Sequence, residues 1–156
     1  MAADSRCTAN RTIIGKAKKI YRLSNGGLYG HSGDPDCRAI VELLDKVKSP
    51  KMLPSRKELA ATQCDARGIW VFPRGQAFYL DVDMDEKLGV ERWNSSLLEV
   101  SEDFAAVGSG CDMALGALAH GASAERAVHI ACRFDVGSGT PVVSMMLKQS
   151  VKKVVR

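Results

Sequence analysis

Side chains capable of chemistry are concentrated in a few short segments of this 156-residue chain. Asp4 lies near the amino end, and the adjacent Lys18 and Lys19 follow a stretch of β-branched residues. Two later segments place a serine between glycines, Val-Gly-Ser-Gly at residues 107–110 and Arg-Phe-Asp-Val-Gly-Ser-Gly at residues 133–139. Taken singly, an aspartate and a lysine form a surface ion pair, and a Gly-Ser-Gly turn caps a helix or binds an anion. Only their combination points to a specific chemistry.

Short strands and one helix are predicted to position the first of these groups. Residues 12–23 suggest two strands interrupted at Gly15, because β-branched and aromatic residues are concentrated there. The Ser-Asn-Gly-Gly sequence at residues 24–27 has hairpin chemistry, and residues 28–31 form the returning strand. Residues 34–35, Asp-Pro, then begin a helix with the aspartate as N-cap.

The middle of the chain is predicted to be mostly β-structure. Residues 69–72 and 77–80 form a hairpin around a Pro-Arg-Gly-Gln turn. Residues 81–103 are acidic, and we expect them to be irregular apart from a short strand at 97–100. A buried strand is expected at residues 104–107, directly before the first Gly-Ser-Gly segment.

Two helices and a strand are predicted to complete the domain. Ser109 caps the first helix, which ends at Gly121, and Ser123 begins the second. Residues 141–147 are rich in valine and methionine and form the last strand. Runs of strands separated by helices favour a layered α+β fold, and residues 1–156 form one domain.

Composition excludes several classes of protein. Hydrophobic residues make up 46% and charged residues 26% of the chain, which is typical of a folded domain. No apolar run is long enough for a membrane span, and aromatic residues, at 6%, are too few for a nucleic-acid stacking surface. The net charge is +4, and the basic C-terminal tail at residues 148–156 is expected to be a solvated terminus rather than a nucleic-acid anchor.

Five widely spaced cysteines form no Cys-x-x-Cys pair, and the histidines show no metal-ligand spacing with acids. We therefore expect no metal or cofactor. Reduced thiols in a cytoplasmic protein are the expected state of these cysteines.

In combination, the segments resemble the proteasome β-subunit and HslV family of N-terminal-nucleophile hydrolases, and phage-encoded members most of all. The resemblance rests on Ala-Ala-Asp-Ser-Arg at residues 2–6, Lys-Lys before a strand at residues 18–19, and the two glycine–serine segments. It covers nearly the whole chain. It implies a four-layer αββα sandwich of two antiparallel sheets between helices, with the family's first strand apparently missing. Residues 48–68 are too short for the family's second long helix.

This resemblance also implies roles for five residues in peptide-bond hydrolysis by an amino-terminal threonine. Lys19 matches the lysine that lowers the pKa of the threonine hydroxyl, and Asp4 matches the carboxylate that orients this lysine. Asp135, with Ser109 and Ser138, matches the group that positions the terminal amine.

Four further positions match substrate-binding elements of the family. Thr8 matches a residue whose backbone pairs with an extended peptide, and Ser32 and Gly33 match the site of the oxyanion. Asp34 corresponds to the pocket for the residue before the scissile bond, which implies a preference for basic side chains. Peptides or unfolded proteins would be the substrates, and the family implies self-association into a ring and docking of an AAA+ unfoldase.

The nucleophile itself has no match, because Met1 stands where the family's threonine-bearing strand should be ending. Either the functional product is longer than this sequence, or the protein is an inactive relative that retains the fold for assembly. The unpaired backbone groups of an open sheet favour a further segment or a partner strand. A small basic module that binds nucleic acid through residues 148–156 is the remaining alternative.

Overall fold

The computed structural model describes residues 1–9, 12–85 and 92–148, and these form an α+β fold with antiparallel sheets. The strands are β1 (Ala2–Asp4), β2 (Arg6–Ala9), β3 (Thr12–Lys16), β4 (Ile20–Arg22), β5 (Leu28–Gly33), β6 (Ala66–Val71), β7 (Ala77–Asp85), β8 (Arg92–Glu99) and β9 (Val142–Ser144). The helices are α1 (Arg38–Asp45), α2 (Arg56–Ala60), α3 (Cys111–Ala119) and α4 (Ala124–Phe134).

A five-stranded sheet in the order β4-β5-β6-β7-β8 carries the main core. The register places Tyr21, Tyr29, Trp70 and Phe78 opposite one another on four successive strands, so that a row of aromatic rings crosses one face. Trp70 and Tyr29 are fully buried, and buried Ile40 of α1 belongs to the same apolar cluster. Burial of such large side chains is the main source of stability in a domain of this size.

Helix α2 packs with α1 on the core side of this sheet, and β1, β9, α3 and α4 form a second assembly on its opposite side. Strand β1 pairs antiparallel with β9, and α4 contacts both of these strands as well as α3. Strands β2 and β3 form a separate hairpin with an irregular register between Cys7 and Thr8. In the described ranges, no helix is long and apolar enough to cross a bilayer.

Several predicted elements are confirmed. The hairpin predicted at residues 69–72 and 77–80 is the β6–β7 pair, and the Ser123 hydroxyl caps α4 by accepting the Arg126 N–H. Before β6 begins, residues 48–65 hold only the five-residue α2 and a single 3-10 turn at Pro50–Met52, so the family's second long helix is absent there, as the sequence predicts.

Two predicted helix caps are wrong. Helix α1 begins at Arg38 without a side-chain cap, because Asp34 is engaged elsewhere: its carboxylate accepts the Asp65 N–H. Helix α3 has Gly110 as its N-cap, and the Ser109 hydroxyl donates instead to the Asp135 carboxylate. In both cases a long-range contact replaces the local cap.

The predictions for residues 81–107 are only partly right: the short strand expected at 97–100 is the end of β8, but the irregular structure expected before it and the strand expected at 104–107 are not what the described residues show. Strand β7 continues to Asp85, and β8 pairs with it along most of its length. Buried Leu80 and Val82 alternate with Asp81 and Asp83 on the other face of the sheet, so an acidic segment still has the alternation of an ordinary strand. Residues 104–107 form no strand, and Phe104 is exposed.

The end of the chain is only partly covered. The last strand is limited to Val142–Ser144, shorter than the predicted 141–147. Of the basic tail at residues 148–156, all but Lys148 lie outside the described residues.

Candidate functional site

A cavity of about 960 Å³ lies between helices α3 and α4 and the face of the five-stranded sheet that is opposite the aromatic core. Gly30, Ser32 and Ile69 line it from the sheet, and Ala114 and Ala127 line it from the helices. Small side chains dominate the walls, so the space between the two layers is open. Cavities of about 300–1,000 Å³ are typical of ligand sites.

An ion pair between Asp4 and Lys19 stands at one wall of this cavity. The Lys19 Nζ lies 3.1 and 3.0 Å from the two carboxylate oxygens, and the side chains are only 15% and 14% exposed. Asp4 ends β1, and its Oδ1 also accepts the Arg6 N–H at 2.8 Å, which turns the chain into β2. The carboxylate therefore fixes both the backbone and the ammonium group.

A second polar cluster centres on Asp135, at the end of α4. The hydroxyls of Ser109 and Ser138 both donate to its Oδ2, at 2.7 and 2.6 Å. Burial alone would raise the pKa of Asp135, but the hydrogen bonds from Ser138, Ser109 and the backbone outweigh burial and lower this pKa. The carboxylate is therefore ionised at neutral pH, and each serine oxygen retains lone pairs that can accept another hydrogen bond.

The backbone of the loop after α4 connects the two clusters. The Gly139 N–H donates to Asp4 Oδ1 at 3.2 Å, and Ser138 directly precedes it. The structure thus brings together all five residues that the family resemblance marks as catalytic. Asp4, Lys19, Ser109 and Ser138 line the cavity, and Asp135 lies behind the two serines. Their catalytic roles stay predictions.

The sequence did not indicate that glycines and one arginine allow the Asp4 and Asp135 clusters to lie so close together. A Cβ at Gly110 would lie 2.8 Å from Ser138 Oγ, and one at Gly137 would collide with Ser109 Oγ. A Cβ at Gly139 would meet the guanidinium of Arg6, which donates to the Val136 carbonyl oxygen at 3.0 Å. The spacing of glycines at 108, 110, 137 and 139 was the available signal, but their partners lie far apart in sequence.

The four predicted substrate-binding residues line the same cavity: Thr8, Ser32, Gly33 and Asp34. Gly33 has a φ of +109°, and a Cβ there would collide with the Asp65 carbonyl oxygen. The Asp34 N–H donates to that same oxygen at 2.7 Å, and Asp34 Oδ2 accepts the Asp65 N–H at 3.1 Å. This double link holds the Asp34 carboxylate against the cavity wall.

Acidic groups outnumber basic ones around the cavity once the Asp4–Lys19 pair is set aside. The acids are Asp34, Asp65, Glu102 and Asp103, and the bases are Arg6 and Arg67. The local field therefore favours a cationic ligand group. Among the described residues, no three His, Cys, Asp or Glu side chains are grouped as metal ligands.

Comparison with known proteins gives a fold relationship only. No protein-family model matches the chain, and no curated protein matches it in sequence. A solved structure described as Thiobacillus denitrificans BPH is similar over 96% of this chain and 92% of that chain, with a TM-score of 0.58 and 21% sequence identity. At that identity the similarity shows a shared fold.

Proposed function

We propose that the cavity is the active site of a proteasome-type peptidase subunit that uses an amino-terminal threonine. The observation that carries the proposal is the convergence of Lys19, held by Asp4, with the Asp135 cluster at one cavity. A fixed cation and a fixed anion beside the same space suit the activation of a residue that has both a hydroxyl and a free amine.

The arrangement of layers agrees with the fold that this proposal requires. Helices α1 and α2 lie against the five-stranded sheet, and α4 lies against the β1–β9 sheet with α3 beside it. The order is then helices, sheet, sheet, helices, and the cavity lies between the five-stranded sheet and the layers formed by β1, α3 and α4. We take this order as support for the proposed αββα sandwich of N-terminal-nucleophile hydrolases.

In the proposed mechanism, Lys19 acts by charge. Its ammonium lies at the cavity wall and stabilises the alkoxide form of a nearby hydroxyl, which lowers the pKa of that hydroxyl. Asp4 keeps the ammonium in place through two hydrogen bonds. The low exposure of the pair strengthens the effect, since water screens the charge less.

The Asp135 cluster has a separate task, which is to orient the terminal amine. Both serine hydroxyls point their protons at Asp135, so their oxygens are left to accept N–H groups. An amine held in this way directs its lone pair, when deprotonated, at the adjacent hydroxyl and acts as general base.

Substrate binding is assigned to the strands that border the cavity. The backbone of Thr8 in β2 is assigned to pair with the extended substrate, as the family resemblance implies. Thr8 and Asp34 lie at the same cavity, and backbone N–H groups near Ser32 and Gly33 are assigned to the oxyanion. The substrates are peptides or unfolded polypeptides, the working unit is a ring of identical subunits, and an AAA+ unfoldase is the proposed source of unfolded chains.

No residue of the 156 is assigned as the nucleophile in this proposal. The first experiment is therefore amino-terminal sequencing of the protein expressed from its native gene, together with an assay on fluorogenic peptides. A product that begins with threonine and hydrolyses peptides supports the proposal. A product that begins at Met1 and hydrolyses nothing contradicts it and favours a structural subunit of the same fold.

Nucleic-acid binding is tested on the same preparation. Salt-sensitive retention on DNA that is lost when residues 148–156 are deleted would favour the basic-module alternative. That alternative assigns no role to the groups around Asp4 and Asp135.

A further inference from the structure

Two buried cysteines lie in contact behind the cavity wall. Cys37 immediately precedes α1 and Cys64 precedes β6, and they are 27 positions apart in sequence. Their sulfur atoms are 2.9 Å apart, within one ångström of the disulfide bond length of about 2.05 Å. Cys37 is 0% and Cys64 4% exposed. The described residues include all five cysteines, and Cys7, Cys111 and Cys132 show no such sulfur contact there.

The two thiols differ in their readiness to ionise. The hydrogen bond between the sulfur atoms raises the pKa of Cys37, and burial adds to that rise. The same hydrogen bond lowers the pKa of Cys64. We assign Cys64 as the attacking sulfur because it is the more exposed of the two, at 4% against 0%, and the thiolate is the nucleophile in thiol oxidation.

The cysteine pair is directly connected to the Asp34 wall of the cavity. The Cys37 thiol donates to the Asp34 carbonyl oxygen at 3.2 Å, and Cys64 adjoins Asp65. Asp34 and Asp65 are linked to each other by two hydrogen bonds and both line the cavity. A bond between the sulfurs would tie the two chain segments that carry this wall.

We propose that Cys37 and Cys64 are a redox modification site, at which a peroxide forms a reversible disulfide that locks the Asp34–Asp65 wall. The Cys64 thiolate attacks hydrogen peroxide, breaks its O–O bond and becomes a sulfenic acid, while the departing hydroxide takes up a proton and leaves as water. The Cys37 sulfur then displaces the hydroxyl from Cys64, and its proton leaves with that hydroxyl as a second water. Two thiols and one peroxide thus give one disulfide and two waters, and an added dithiol reverses the reaction. The site does not depend on the proposed peptidase activity.

The test is mass spectrometry of the reduced protein after treatment with hydrogen peroxide. Free thiols are blocked with N-ethylmaleimide under denaturing conditions, and the protein is digested without reductant. We expect a cross-linked peptide that joins Cys37 to Cys64 and disappears with dithiothreitol, with maleimide on the other three cysteines. Recovery of Cys37 and Cys64 as maleimide adducts, with the oxidant on another cysteine, would overturn the proposal.

Matched variants separate this pair from general thiol reactivity. Cys132→Ser should form the cross-link as the parent protein does, and Cys64→Ser should form none. Because Cys64→Ser alters a buried site, the parent protein supplies a second readout. Its thermal midpoint should rise on oxidation and fall back on reduction, and a midpoint that stays unchanged although the cross-link has formed would contradict the locking of the wall.

Discussion

The Asp4–Lys19 pair is the charged contact on which the site depends, and its removal is the first prediction. Asp4→Asn leaves a poorly exposed ammonium without its counter-charge, so we expect a loss of about 1–3 kcal/mol in the free energy of unfolding. Urea denaturation at neutral pH measures it. The matched control is Asp36→Asn, which breaks the exposed pair with Arg38 and should leave the urea midpoint unchanged. Equal effects of the two substitutions would contradict the account.

His31 supplies a prediction about pH. Its ring is 4% exposed and stacks between Tyr21 and Tyr29, and burial lowers its pKa from 6.5. Below pH 6.5 this histidine takes up a proton in the unfolded chain but stays neutral in the folded protein. The free energy of unfolding therefore decreases as the pH is lowered, until the lowered pKa of the folded state is reached. Unfolding free energies of the parent and His31→Gln between pH 5 and 8 test this. The slope should be smaller in His31→Gln and retained in His129→Gln, which alters an exposed histidine.

At the scale of single elements, α3 offers a pair of glycine substitutions with opposite expected signs. A Cβ at Gly110 would lie 2.8 Å from Ser138 Oγ and 2.9 Å from Ala131 Cβ, so Gly110→Ala should destabilise the protein by about 1–3 kcal/mol. Gly116 lies in the same helix with nothing within 4 Å of its Cβ position. Gly116→Ala should therefore stabilise by about 0.5–1 kcal/mol. Thermal or urea unfolding of both variants measures these changes in stability. Destabilisation by Gly116→Ala would contradict the open space described around Gly116.

The elements also show how far the sequence alone predicts the structure. Local patterns suffice for the β6–β7 hairpin and the Ser123 cap, because alternation and capping involve neighbouring residues. They fail for Asp34 and Ser109, whose polar groups bind partners 31 and 26 positions away. Only the end of strand β8 is predicted, because its pairing with β7, rather than its own composition, makes the rest of it a strand.

The candidate site was predictable from sequence only through the family resemblance. Motif order suggested that Asp4, Lys19 and Asp135 belong together, and the structure places them around connected hydrogen bonds. No pattern indicated that the Gly139 N–H joins Asp4, or that Arg6 covers Gly139. Such contacts form between segments at opposite ends of the chain, and a single sequence carries no record of them.

At the scale of the whole molecule, the acidic surroundings of the cavity predict a substrate preference. Asp34 lies at the wall without a cationic partner among the described contacts, and Asp65, Glu102 and Asp103 add to the negative field. Peptides with lysine or arginine before the scissile bond should be cleaved faster than peptides with leucine there. Asp34→Asn should reduce the ratio of the two kcat/KM values by about tenfold, a change equivalent to about 1.4 kcal/mol. An unchanged ratio would show that Asp34 does not determine the preference for a basic residue before the scissile bond.

The central claim is that a lysine fixed by Asp4 activates a nucleophile in this cavity, and adjacent lysines allow a direct measurement. The peptide hydrolysis rate of the protein from its native gene is compared between Lys19→Ala and Lys18→Ala, with assembly checked by gel filtration. Lys18 lies over the Tyr21 ring rather than at the cavity, so its variant should keep the parent rate. Lys19→Ala should lower kcat by at least about a hundredfold while the protein stays assembled. Hydrolysis that persists at the parent rate in Lys19→Ala would contradict the claim.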